Sequence, residues 1–157
     1  MRKSSHLHIA GCLAPALGLR GWRKFLFYFG SLYPDLVPTV FTNSHTYKNW
    51  SSWLDEHRGT TSPFTEGRLV HLCCDFFTHP HNETRYLTLA HARWEKLLDQ
   101  AVMAESRFCH STKITSLEEL HEMYLKEAPS VSTDVLYCCL ALHVLFNLNS
   151  CLQVSFA

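Results

Sequence analysis

The sequence lacks an excess of charge of either sign: fourteen Lys and Arg balance fourteen Asp and Glu, for a formal net charge of zero. A nucleic-acid partner needs a clustered basic stripe, and the stretches "MRK" and "RGWRK" are too small for that role, so none is expected. No uninterrupted apolar run reaches the roughly 18 residues needed to cross a bilayer. The closest, "VLYCCLALHVLF" at 135–146, contains His143 and reads as a core helix. There is no CxxC to suggest a zinc knuckle or redox pair. HExxH is also absent, which excludes the zincin peptidases. Without a His-Asp dipeptide, the HD-type phosphohydrolase scaffold is excluded too. Alternating apolar runs are few and hairpin dipeptides are missing, so no strands are expected.

What is present fits one globular domain spanning 1–157, with 46% hydrophobic and 18% charged residues. Seven cysteines include the adjacent pairs Cys73-Cys74 and Cys138-Cys139. An odd number with such neighbours reads as reduced, small hydrophobes in a cytoplasmic protein. The opening "MRKSSHLHIAGCLAPALG" is basic first, but His6 and His8 interrupt its apolar part, so it does not read as a signal peptide.

Periodicity and breakers predict an all-α bundle of about six helices. A first helix runs over 5–19 after the Ser4-Ser5 cap candidates and ends near Gly18. The aromatic stretch 22–33 stops at Pro34, leaving 34–44 as a loop. Helices follow at 46–57, at 65–78 after the "RGTTSP" break, and from about Tyr86 through Leu98. Ser116 to Glu119 is a capping-box pattern opening a helix to Ala128. The last helix starts from a Ser132 or Thr133 cap and runs to Asn147.

Eleven histidines are a heavy load, and "HLCCDFFTHPHN" at 71–82 concentrates three of them with an aspartate. His71 and Asp75, four apart, project from one helix face and can share or bridge metal ions. His91 and Glu95 repeat the spacing on the next helix, and His81 lies in the connection between the two. Either pair alone has an ordinary reading as an i,i+4 hydrogen bond on a half-exposed face. Together, among apolar neighbours, two carboxylates and three imidazoles are most simply explained by cations, since a buried carboxylate is costly unless paired or metal-bound. A ferritin-like di-iron bundle would need two E-x-x-H helices, and only "EELH" at 118–121 matches.

In the order "GSLYPDL", "SHTY", "HLCCDFFTHPHN", "HARWE", the chain resembles the zinc-dependent phospholipase C family, whose all-α fold is shared with S1/P1-type nucleases. It is most similar to short bacterial members that begin "MRK-S-H", over about residues 3–95. The resemblance implies three clustered divalent sites. Asp35, His45, His71 and Asp75 would hold the first ion, and His81, His91 and Glu95 the second. His6 would hold a third, with Asp75 bridging it to the first. Asp35 and Asp75 are the carboxylates assigned to catalysis. Secreted members grip the third ion with an N-terminal tryptophan, for which this chain has no counterpart.

Some positions keep a competing reading. His8 competes with His6, and the family pattern favours His6. His79 could replace His81, but its spacing from Asp75 departs from the pattern. Asp35 can also be read as a loop cap after Pro34. His57, His110, His121 and His143 read as surface or core residues, and Trp50, Trp53 and Trp94 as core. Arg68 and Arg85 flank the motif helix as phosphate-holding candidates, with surface arginine the favoured reading.

Histidine mixed with carboxylate and no thiolate suits Zn²⁺, in two or three ions, with iron or manganese as alternatives. Clustered ions about 3.5–4 Å apart activate water and stabilise a leaving oxygen in phosphodiester hydrolysis. The expected activity is therefore metal-dependent hydrolysis of a phosphoester, with a phospholipid headgroup as the substrate the family name implies. The alternative is a catalytically inactive metal-binding helical sensor or interaction module.

Overall fold

Gly30 and Gly67 let two helices touch backbone to backbone. A Cβ on Gly67 would overlap the Phe27 carbonyl oxygen, and one on Gly30 the Phe64 carbonyl oxygen. The computed structural model describes residues 1–37, 45–82, 88–105, 107–108, 114, 116–147 and 152–153. Within it the helices are α1 (Lys3–Ala16), α2 (Gly21–Leu32), α3 (Tyr47–His57), α4 (Pro63–Phe76), α5 (His79–Asn82), α6 (Thr88–Ala104), α7 (Leu117–Tyr124) and α8 (Val131–Phe146). A 3-10 turn, Tyr33–Asp35, extends α2. The class is all-α, as expected.

The helix α4 is central because its second half, from Leu69 to Phe76, is buried on every side, His71 and Asp75 included. Leu69, Val70, Leu72, Cys73, Cys74 and Phe76 are all buried, so no face is left for solvent. It begins where Ser62 accepts the Thr65 N–H and Pro63 takes the first turn, the position where a missing N–H costs nothing. Helix α2 crosses it at the two glycines, α3 and α8 also pack on it, and α6 lies against α1 and α8.

Several boundaries differ from the sequence reading. Ser4 and Ser5 do not cap α1 but lie inside it, and both donate their hydroxyls to Asp99 Oδ1 on α6, at 2.6 and 2.7 Å. The α1 terminus is a Schellman motif: Leu19 N–H reaches Ala14 O, Gly18 N–H reaches Pro15 O, and Gly18 takes φ 65°. The last helix starts earlier than expected, from Ser130, whose side chain accepts the Thr133 N–H. His81 sits in a helical turn of its own rather than a loop, which brings the helices among the described residues to eight. Ser116 caps α7 as read, accepting from Glu119 N–H, but the helix stops at Tyr124. The expectation of no strands meets one small exception, a two-residue antiparallel pairing of Arg107–Phe108 with Leu152–Gln153. Of the expected loop at 34–44, Pro34 and Asp35 fall in the 3-10 turn, and residues 38–44, like Arg85, Tyr86 and His110, lie outside the described residues.

Among the described residues, no helix is long and apolar enough to cross a membrane. Cys12, Cys73, Cys74, Cys138 and Cys139 are buried free thiols.

Candidate metal centre

His71 and Asp75, one turn apart on α4, are both buried, with His71 Nε2 3.2 Å from Asp75 Oδ2. His71 donates Nδ1–H to the Ser31 carbonyl of α2 at 2.8 Å, which turns Nε2 inward. An outer hydrogen bond of this kind is how proteins orient a ligating imidazole. The Gly30–Gly67 contact brings that carbonyl within reach.

Around this pair the fold gathers the other expected residues. Asp35, from the 3-10 turn, lies 3.6 Å from His71 Nε2. His45, just before α3, has Nδ1 2.9 Å from Asp75 Oδ2 and 3.3 Å from His71 Nε2. His6 from α1 stacks on the His71 ring with centroids 3.8 Å apart, and its Nε2 is 3.4 Å from Asp75 Oδ1. His81 Nδ1 approaches Asp75 Oδ2 at 3.9 Å. On α6, His91 Nε2 is 3.1 Å from Glu95 Oε1, and the His81 and His91 rings are 5.5 Å apart. Donor atoms fall within 4.8 Å of one another in three groups: His6, Asp35 and His71; His45, His71 and Asp75; His81, His91 and Glu95. His8 and His79 are in none of these groups.

The residues fit a divalent ion on the evidence of unsatisfied atoms. Both nitrogens of fully buried His6, and Nε2 of His45, are buried without a hydrogen-bond partner. Such orphans are rare and call for an explanation. Burial, aided by neighbouring His71, pushes His6 down to about 3 against the pull of Asp75. Burial likewise takes His81 to about 4. Both rings are therefore neutral at physiological pH, the form that ligates metal. Burial opposes ionisation of Asp75, but the Met1 ammonium beside it holds the carboxyl well below the usual carboxylate range.

One group was not legible in the sequence. The Met1 α-ammonium is buried between the groups, 3.0 Å from Asp75 Oδ1, 3.2 Å from Glu95 Oε1 and 3.3 Å from His81 Nε2. Burial works against its charge, yet Asp75 and Glu95 outweigh it and raise the amine to about 10. No side-chain motif flags a backbone amine. Asp134 was also missed, because an acid in a first helical turn reads as a dipole partner. Fully buried, it accepts the His79 N–H at 3.1 Å and the Trp94 indole N–H at 2.8 Å on Oδ2, and the Tyr124 hydroxyl at 2.6 Å on Oδ1. One carboxylate thus joins α5, α6, α7 and α8.

The remaining candidates fall elsewhere. Arg68 is half-buried: its guanidinium lies over Trp53 at 4.3 Å and Tyr33 at 5.5 Å, and its Nε is buried without a hydrogen-bond partner. His121 is buried, stacked on Tyr47, and its Nε2 lies 3.1 Å from Asn82 Oδ1. Asn82 in turn donates to the Phe76 and Thr78 carbonyls and so fixes the α4–α5 connection. Trp50, Trp53 and Trp94 pack against the core, as read.

Nothing among curated proteins or solved structures matches the chain. A family model described as zinc dependent phospholipase C matches residues 5–135, a stretch that contains every residue of the three groups. The chain belongs to the zinc-dependent phospholipase C family.

Proposed function

We propose that the protein is a metal-dependent phosphoester hydrolase of the phospholipase C type, built as a single domain over 1–157, with zinc as its metal. The observation that carries this reading is the convergence of three donor groups on one buried carboxylate, Asp75. Its Oδ1 faces His6 and Met1, and its Oδ2 faces His45, His71 and His81. One aspartate facing several groups suits a bridging role. Asp35, His45, His71 and Asp75 would hold one ion, His81, His91 and Glu95 a second, and His6 with Asp75 a third. Bound divalent ions supply a water acidic enough to lose its proton near neutral pH, and positive charge for the departing oxygen.

The chain's own part is to hold those donors in place, with His6, His45, His71 and Asp75 buried. Ser31 fixes the tautomer and direction of His71. Asp35, half-buried at the edge of the cluster, is the carboxylate placed to meet a substrate phosphoester, with a phospholipid headgroup as the preferred class. The buried free thiols support a reducing, cytoplasmic setting.

A second reading draws on the Met1 ammonium, which occupies the space between Asp75, Glu95 and His81. A chain that keeps its amine there would bind metal without turnover, as a helical sensor or interaction module. Elemental analysis of the purified chain, with hydrolysis of a soluble chromogenic phosphodiester, separates the two. About two to three zinc ions per chain with hydrolysis supports the enzyme. The same metal content without hydrolysis supports the sensor, and less than about half an ion per chain overturns both.

A further inference from the structure

Helix α2 has two apolar faces, and the bundle uses one of them. Phe27, Gly30 and Ser31 are buried, on the side that meets α4. On the outer side, Trp22 is 69% exposed, Phe25 53% and Phe29 43%. Spaced at i, i+3 and i+7, these three share one face. Their rings form a continuous row: Trp22 stacks on Phe25 at 4.8 Å, and Phe25 on Phe29 at 6.5 Å. Phe29 then meets Tyr33 edge-on at 6.2 Å and Phe64 at 5.8 Å. Tyr33 opens the 3-10 turn that carries Asp35, and Leu36 just beyond is 47% exposed. The row therefore runs from the start of α2 to the edge of the metal centre.

Single exposed hydrophobes are ordinary, but a contiguous aromatic row marks an interaction surface. Its charge indicates the partner. Arg20, Arg23 and Lys24 surround Trp22, and residues 17–34 contain no Asp or Glu. Arg20 and Arg23 are exposed; Lys24 lies over the Tyr28 ring at 5.4 Å. Arg23 also reaches the Thr61 carbonyl at 3.4 Å, and the carboxylate facing it is the half-buried Glu66 of α4. Aromatic rings on one face with arginine and lysine beside them, and no acid within residues 17–34, describe a helix that lies in a membrane interface. Indole rings favour the headgroup level, and basic side chains favour anionic lipid.

We infer that the outer face of α2, from Trp22 through Phe29 to Leu36, docks the protein on an anionic phospholipid bilayer. Docked this way, Asp35 and the metal centre lie beside the membrane surface at the far end of the row from Trp22, so the substrate is taken from that surface. This assignment of the lipid surface as the source of substrate rests on the proposed hydrolase reading; the docking itself does not.

The test is co-flotation of the zinc-supplemented chain with vesicles of phosphatidylcholine alone or with phosphatidylglycerol added, alongside hydrolysis of a soluble chromogenic phosphodiester. Binding is expected on the anionic vesicles, weakened by salt, with a blue shift in tryptophan emission that disappears in Trp22→Phe. Replacing Trp22, Phe25 and Phe29 together by Ala should lower the vesicle affinity at least about tenfold, because these side chains supply the buried apolar area. Should that variant fold poorly, Arg20→Gln with Arg23→Gln tests the same surface, with loss expected on anionic vesicles alone. Wild-type chain that stays off both vesicle types overturns the inference. So does a dimer by light scattering that the triple variant turns into a monomer, since a second copy would then cover the face. Soluble hydrolysis without vesicle binding sinks only the docking, and vesicle binding without hydrolysis sinks only the hydrolase reading.

Discussion

The Met1 α-amine and Asp75, 74 residues apart in sequence, form a buried ion pair of 3.0 Å at the centre of the candidate metal site. A cation is thus supplied where the clustered carboxylates demand one. Asp75→Asn removes the charge and leaves the ammonium buried without its main partner. In chelator-treated protein this should cost about 3–5 kcal/mol, the range for breaking one side of a buried pair, read as a lower urea midpoint. Zinc content should fall sharply in the same variant, and unchanged content would remove Asp75 from its bridging role.

Gly67 has no room for a methyl group, because the Phe27 carbonyl occupies that position. Gly67→Ala should push α2 off α4 and carry the Ser31 carbonyl away from His71. The expected loss is about 1–3 kcal/mol, typical of overpacking, with weaker zinc binding beyond it. Gly59→Ala, at a position with open space around it but φ 80°, serves as a control for backbone strain alone. If the two variants hold zinc equally well, the orienting role of Ser31 is wrong.

Asp134 touches none of the three donor groups yet holds the turn that carries His81 and the helix that carries His91 and Glu95. Asp134→Asn should weaken one zinc site about 10–100-fold, the usual effect of a residue that orients ligands, and spare the others. Trp94→Phe, which deletes one donor to the same oxygen, should give a smaller effect in the same direction. Equal loss of all ions in a metal titration would reduce Asp134 to a general fold contact.

Asp99 ties α1 to α6 through Ser4 and Ser5. Burial opposes its ionisation, but the two hydroxyls, with Arg2 and His8, pull its carboxyl below the usual value. A depressed folded pKa contributes stability above the unfolded value of 3.8 and loses it as pH falls through and below that value. Asp99→Asn should therefore unfold more easily at neutral pH, by roughly 1 kcal/mol once its partial exposure is discounted. The gap should close as pH drops below about 4, and a constant gap in urea unfolding would refute the ionic origin.

The helices were largely legible because amphipathic spacing and breakers such as Pro63 are local signals. Their boundaries were less so. Ser4 and Ser5 looked like caps, yet their hydroxyls found Asp99, a partner that only packing places nearby. The four-residue turn at His79–Asn82 was invisible for the same reason, since His121 meets Asn82 and Asp134 accepts the His79 N–H from outside it.

The sequence by itself determined the chemistry of the site. His and Asp or Glu at four-residue spacing share a helix face whatever the fold, and the order of the motifs carried the family. Only the tertiary structure decided which backbone groups join them: the Ser31 carbonyl behind His71, and the Met1 amine between Asp75 and Glu95. The physical reason is that every residue carries those groups, so no pattern of side chains marks the ones that burial will enlist. The same holds for the outer face of α2. In the sequence its aromatics form one apolar stretch, and only the packing of α4 on the opposite side left Trp22, Phe25 and Phe29 facing out.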